Sequence, residues 1–145
     1  LTGTHPEVLG AVLGMKKALE EAGIEAKDVD YINAHATSTG IGDISELIGI
    51  KKVFGDSNVA ISGTKSMTGH LLGAAGAIES IISVLSIKND VIPGTINTTE
   101  LDEKIPAGLN IILGKPVYQE VNYVLNNTFG FGGHTATSLF KKYEA

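Results

Sequence analysis

Two histidines and a lysine stand in loops of otherwise small, uncharged residues, a setting in which imidazole and ammonium groups can act on a bound molecule. His35 closes the apolar run Val29-Asp30-Tyr31-Ile32-Asn33-Ala34 and precedes the hydroxyl-rich run Ala36-Thr37-Ser38-Thr39-Gly40. A hydrogen-bonded structural histidine and a catalytic one are both open readings there. His70 lies at the mouth of a long apolar segment that reads as a helix. The positive end of a helix disfavours an imidazolium, so a neutral ring is expected, and a neutral ring can donate a hydrogen bond to a substrate oxygen. Lys65 has no carboxylate in its own loop; if buried, it needs a partner. Glu79 lies nine residues after His70, on a different helical face. A lone acid in an apolar helix is expected to pair, with Lys65 or with a water, in a structural or a supporting catalytic role.

Two other chemistries fit these residues poorly. The histidine spacing matches no short zinc pattern, cysteine is absent, and no close carboxylate completes a ligand set, so no metal site is expected. The turn Phe129-Gly130-Phe131-Gly132-Gly133-His134 is rich in glycine but does not match GxGxxG, and a strand follows it rather than a helix. That leaves a turn whose N–H groups line a pocket, with Phe131 as a movable wall, against a plain hairpin turn.

The elements that must position these loops can be read from periodicity and punctuation. Thr4 as N-cap, Pro6 in the first turn and Glu7 predict a helix whose stripe is Val8, Leu9, Val12, Leu13 and Leu19, stopped by Gly23. Gly10 and Gly14, one turn apart, leave room for a close neighbour. Residues 29–35 read as a short strand. Asp43 is the expected N-cap of a helix carrying Ile44, Leu47, Ile48 and Phe54. Val59-Ala60-Ile61 is a brief strand, and residues 63–69 form a second small-residue loop. A helix over about residues 71–88, apolar nearly all round, is expected to be buried. Pro93-Gly94 breaks the pattern, residues 94–120 are irregular with a strand near 109–113, and strands at 123–127 and 135–140 flank the glycine turn. Each functional loop thus follows a strand or precedes a helix, where layered α/β folds hold ligands.

Composition narrows the classes. The chain has 145 residues, is 43% hydrophobic and 19% charged, and carries a net charge of −5. That suits one soluble domain with its own core. All 11 basic residues are lysine, and aromatics are 6%. A basic face with arginine forks or a stacking platform is missing, so nucleic-acid binding is not expected. The longest apolar stretch, residues 71–85, contains Glu79 and is too short to span a bilayer. No signal peptide is seen, and the chain starts at Leu1 without Met; a cytoplasmic fragment of a longer protein is the expectation.

Three segments together resemble a known set. Asn33-Ala34-His35-Ala36-Thr37-Ser38-Thr39, then Gly63-Thr64-Lys65-Ser66-Met67-Thr68-Gly69-His70-Leu71-Leu72-Gly73-Ala74-Ala75-Gly76, then Asn126-Asn127-Thr128-Phe129-Gly130-Phe131-Gly132-Gly133-His134, resemble the C-terminal signatures of the elongating β-ketoacyl-acyl-carrier-protein synthases of the thiolase superfamily, nearest the bacterial synthase II type. The resemblance is collinear over essentially the whole chain, and Thr-Lys-Ser-Met-Thr-Gly-His is its most specific part. It implies a thiolase-like fold of α/β/α layers, with residues 1–145 as the C-terminal half. The nucleophilic cysteine would sit in the other half, at a buried helix N-terminus.

By that resemblance His35 and His70 are the active-site pair that holds the thioester carbonyl of malonyl-acyl carrier protein during decarboxylation. Lys65 orients the site and Glu79 is its inner polar partner. The Phe131 N–H completes an oxyanion hole while its ring gates the acyl pocket, and Thr37 and Thr39 contact the phosphopantetheine arm. The resemblance implies no resident cofactor, since substrates arrive on the phosphopantetheine of acyl carrier protein, and it implies a homodimer of the full-length enzyme. Acyl carrier protein is acidic and seeks lysines, of which this chain offers only the pairs Lys16-Lys17, Lys51-Lys52 and Lys141-Lys142, so part of the docking surface is expected elsewhere. The chain departs from the family pattern at Ala36 for Gly, a change expected to be small; at Gly40 for Pro; at Gly63 for Ser or Ala; and at Thr135 for Asn. Two other readings share the fold: a non-catalytic chain-length-factor-like subunit, which usually lacks the histidine pair, and a polyketide synthase module.

Overall fold

Pro6 begins the first helix, α1 (Pro6–Ala22), of the computed structural model, which describes residues 5–145. Thr4, the expected N-cap, lies outside the described residues; the residue at the cap position is His5, whose side chain makes no capping bond. Gly23 ends the helix at φ 67°, the left-handed conformation that glycine adopts without strain. α1 buries Val8, Ala11, Met15 and Leu19, a spacing of three or four residues. Leu9 and Leu13, expected on that stripe, are exposed instead. The stripe is centred on small residues because two neighbours approach there. A Cβ on Gly14 would lie 2.9 Å from the Thr137 hydroxyl, and one on Gly49 would lie 3.0 Å from Ala11 Cβ.

Five strands form the main sheet: β1 (Tyr31–Asn33), β2 (Ala60–Ser62), β4 (Asn110–Ile111), β6 (Tyr123–Phe129) and β7 (Thr135–Lys141), in the order β4-β2-β1-β6-β7. β1 runs parallel to both β2 and β6, β2 runs parallel to β4, and β7 returns antiparallel along β6. Two short strands, β3 (Val91–Ile92) and β5 (Val117–Tyr118), pair separately. The register puts Asn33, Ser62 and Asn126 side by side. β1 and β2 therefore end abreast, and β6 runs on past them to Phe129, so the chain leaves all three strands at the same edge of the sheet.

The period of two along the strands divides the core between the sheet's faces. Ile32, Ile61 and Leu125 join Ala11, Met15, Leu47, Ile50 and Phe54 beneath α1 and α2 (Gly42–Phe54). Tyr31, Ala60 and Val124 join Ile87, Ile92 and Val121 on the side of α4 (Ala75–Asn89). The result is the expected layering, helix on sheet on helix.

Two expectations about helices change. Asp43 is not the N-cap of α2; Ile41 holds that position, and the Asp43 carboxylate instead accepts the Ser38 N–H at 3.0 Å, tying back the loop before the helix. The helix expected over residues 71–88 opens with a 3₁₀ turn (Leu72–Ala74) before α4, and α4 is not buried all round. Its inward side is Ala75, Glu79, Ser83, Ser86 and Ile87, while Ile81, Val84 and Leu85 face outward. The sheet offers α4 polar strand ends as well as aliphatics, so the small and polar face turns in. The second loop also holds a short helix, α3 (Lys65–Thr68).

Candidate active site

The neighbouring C-terminal ends of β1, β2 and β6 bring the predicted residues to one place. His35 leaves β1, Lys65 leaves β2, and His70 lies between α3 and α4. The imidazole rings of His35 and His70 meet edge to face with centroids 5.5 Å apart. Phe129, at the end of β6, packs 5.4 Å from the His35 ring. Both histidines line an open cleft of about 1130 Å³ together with Thr37, Thr39, Gly76 and the whole glycine turn.

Each histidine has its Nδ1 atom occupied by a donor. The Leu72 N–H donates to His70 Nδ1 at 3.2 Å, and the Lys65 ammonium lies 3.4 Å from His35 Nδ1. A ring that accepts at Nδ1 carries its proton on Nε2. Burial, followed by the positive charge of Lys65, lowers the His35 pKa to about 4. The ring is therefore neutral at physiological pH, and its Nε2–H is a donor.

Lys65 and Glu79 do not line the cleft. They lie behind His35 as a buried ion pair, 7% and 1% exposed. Glu79 thus pairs with Lys65, one of its two expected partners. Its carboxyl is raised by burial, against which the Lys65 ammonium acts. The adjoining strand ends add Asn33, whose amide donates to the Glu79 carbonyl at 3.4 Å and whose Oδ1 accepts the Thr64 hydroxyl at 3.2 Å.

The sequence reading missed Glu46, which organises the His35 loop from the other side of the sheet. It is 2% exposed, in the second turn of α2. Its carboxylate accepts the N–H groups of His35 at 2.8 Å and Ala36 at 3.0 Å, and the Asn127 amide at 3.1 Å. Burial raises its pKa to about 7 despite those bonds. A signal was available: Glu46 lies on the same helical face as Gly49, Ile50 and Phe54, and an acid on an inward stripe requires donors.

Phe131 stands at the tip of the β6–β7 hairpin with its side chain 97% exposed, beside the cleft. The Gly130 N–H donates to the His134 carbonyl at 2.8 Å, and Gly132 and Gly133 both adopt φ 81°. The turn is therefore a hairpin connection and a cleft wall at once. Thr37 and Thr39 place their hydroxyls 3.3 Å apart on the cleft rim. Thr135, where the family pattern has Asn, packs its methyl against Gly10. Ala36, expected to be a small change, has φ 39°, a left-handed conformation that disfavours a Cβ by about 1–2 kcal/mol. Among the described residues no group of three or more His, Asp or Glu side chains could hold a metal ion, and no helix is long and apolar enough to cross a membrane.

Residues 1–99 match the family model described as the β-ketoacyl synthase C-terminal domain. The whole chain is 45% identical to a 3-oxoacyl-[acyl-carrier-protein] synthase 2 of Staphylococcus aureus, over 35% of that protein's length. The structure is similar to that of a β-ketoacyl synthase from Burkholderia phymatum, with a TM-score of 0.91 at 35% identity over 99% of this chain and 35% of that one. It is also similar to the ishigamide ketosynthase/chain length factor, with a TM-score of 0.90 at 35% identity over 94% of this chain and 34% of that one. The chain thus spans about a third of the length of the curated relatives it matches.

Proposed function

This chain belongs to the β-ketoacyl synthase family through that family's C-terminal domain, and we propose that it supplies the decarboxylating half of a carbon–carbon bond-forming site in fatty-acid elongation. The observation that carries this reading is the pair of imidazoles, each with Nδ1 occupied by an N–H donor, facing one cleft. Two neutral Nε2–H groups aimed at one thioester carbonyl would stabilise the charge that appears when a malonyl group loses its carboxylate. The bond from the α-carbon to the carboxylate breaks, CO₂ departs, and the electron pair is held as an enolate whose oxygen accepts both N–H groups. The enolate carbon then attacks an acyl group carried as a thioester on a cysteine outside this chain, and the cysteine leaves as thiolate.

The other residues take supporting parts in the same scheme. Lys65, held by Glu79, fixes the His35 tautomer and disfavours its protonation. The Phe131 N–H would serve the oxyanion of the condensation step, and its ring, on a glycine turn, would move as the acyl chain enters. Thr37 and Thr39 would meet the phosphopantetheine arm at the rim. The reading calls for no resident cofactor and takes acyl carrier protein as partner, as the name of the Staphylococcus relative suggests. Lys142 and Lys51 already face Asp90 and Asp56, so most of the basic docking surface would belong to the remainder of the enzyme. That remainder would cover the outward apolar face of α4. A cytoplasmic homodimer completes the proposal.

A chain-length-factor-like subunit is the second reading, favoured by the similarity to the ishigamide complex. The retained pair of histidines, with Lys65 and Glu79 behind it, favours the enzyme. The test is to assay the full-length enzyme carrying this chain with acyl- and malonyl-acyl carrier protein. Release of CO₂ with formation of a two-carbon-longer 3-oxoacyl product is expected. Failure to release CO₂ or extend the chain, together with altered product length when the protein is added to an active synthase, would favour the subunit reading.

A further inference from the structure

Gly63 has no obvious part in the chemistry, yet it is held unusually firmly. Its N–H donates to the Thr95 hydroxyl at 2.9 Å, and its carbonyl accepts the Ser66 hydroxyl at 2.8 Å and the Ser66 N–H at 3.3 Å. It lies one residue beyond β2 and two before Lys65. Across from it stands Ala36, the residue after His35, with φ 39°. A Cβ placed on Gly63 would lie 2.7 Å from the Ala36 methyl carbon, a separation that real Cβ atoms essentially never show. A methyl cannot rotate out of such an overlap; backbone has to move.

The neighbouring bonds decide which backbone moves. Gly63 is fixed at both its N–H and its carbonyl. Ala36 is fixed on its far side by Glu46, which holds the N–H groups of both His35 and Ala36. The His35 loop is thus clamped between a buried carboxylate on one face and a bare glycine on the other. We propose that Gly63 is a positioning residue for His35: the space left by its missing side chain seats the Ala36 methyl and so sets where the His35 ring lies relative to His70 and Lys65. Ala36 and Gly63 form a complementary pair, in which the methyl carried by one is accommodated by the hydrogen of the other.

This inference rests on the proposed decarboxylation, so its test has one arm that does not depend on activity. Gly63→Ala, Ala36→Gly and the double variant are made in the full-length enzyme carrying this chain. Malonyl-thioester decarboxylation is measured with the titration of the His35 ring followed by NMR. Displacing a catalytic group by about 1 Å can cost on the order of 100-fold in rate. G63A is therefore expected to lose roughly 10- to 100-fold in kcat, with KM changed by less than about twofold, and to shift the His35 titration. Removing the Ala36 methyl as well restores the space, so A36G/G63A is expected to return to within about threefold of A36G in kcat and to regain the A36G ring titration. A lesion at residue 63 that does not act through the Ala36 methyl would not be repaired by a change at residue 36, and the His35 titration separates a displaced ring from a general loss of stability.

G63A behaving as the unsubstituted enzyme in both arms would overturn the proposal, as would a double variant no better than G63A. If G63A fails to fold, a folded double variant with A36G-like properties supports the seat, and an unfolded one refutes it. Should the unsubstituted enzyme not decarboxylate at all, the functional reading falls while the ring titration still decides whether Gly63 positions His35.

Discussion

At the scale of single residues, the arrangement behind His35 explains how a histidine can serve as a donor without taking a proton. Burial contributes most to its lowered pKa, and the Lys65 charge comes next. Lys65→Met should therefore raise the His35 midpoint from about 4 while leaving it below the ordinary value of about 6.5. NMR titration of the ring in the full-length enzyme checks this; an unmoved midpoint would remove Lys65 as a cause. The same substitution strands the Glu79 carboxylate in a buried place. Breaking such a pair costs about 3–5 kcal/mol, whereas removing both charges costs much less. The double variant K65M/E79Q should therefore unfold at a higher temperature than K65M alone. Lys65 and Glu79 were legible from sequence as residues in need of partners, and His70 as a neutral donor at a helix mouth. The Lys65–Glu79 pairing itself was only one of two options, because it depends on where β2 ends relative to α4.

At the scale of elements, the end of β1 is held by α2 through Glu46, and this link carries a pH dependence. Its pKa lies near 7 in the folded protein, against about 4.3 in an unfolded chain. Between those values the folded state keeps a proton that the unfolded state has released, so this group's contribution to stability falls as pH rises through that window. Glu46→Gln removes that dependence and sets an amide N–H₂ against a backbone N–H, at a cost of about 1–3 kcal/mol. Denaturant unfolding should show the largest gap between parent and E46Q below about pH 4.3, narrowing as pH rises to about 7 and constant above it; a gap that widens with pH would contradict the assignment. Strand and helix positions were largely readable, since Pro6, Gly23, Pro93-Gly94 and the glycine turn punctuate them. Facing was less readable. Leu9 and Leu13 fell outside the α1 stripe because Gly10 and Gly14 draw β7 in. α4 turned its small and polar side inward because the sheet edge there is lined by Asn33, Ser62 and Asn126.

At the scale of the whole molecule, the uncovered face of α4 has a direct consequence. Ile81, Val84 and Leu85 present a contiguous apolar helix face, a surface that proteins rarely leave open to water. The 145-residue chain expressed alone should therefore self-associate, seen as concentration-dependent mass in light scattering, and V84E/L85E should shift it toward monomer. A chain that stays monomeric at all concentrations, with unchanged dye binding in the variant, would argue against that face as a covered surface. The molecule's layout also decides what the site can do: the loops that follow the adjacent parallel strands β1 and β2 bring two imidazoles to one cleft with a lysine hidden behind them, an arrangement no single loop could make. The most direct test is the rate of malonyl-thioester decarboxylation by full-length enzymes carrying His35→Ala, His70→Ala and both. If the two rings serve one oxygen, each single variant should lose about 100- to 1,000-fold, and the double variant should be slower by much less than the product of the two losses. Either single variant working at the unsubstituted rate, or losses that multiply in full, would contradict a shared carbonyl.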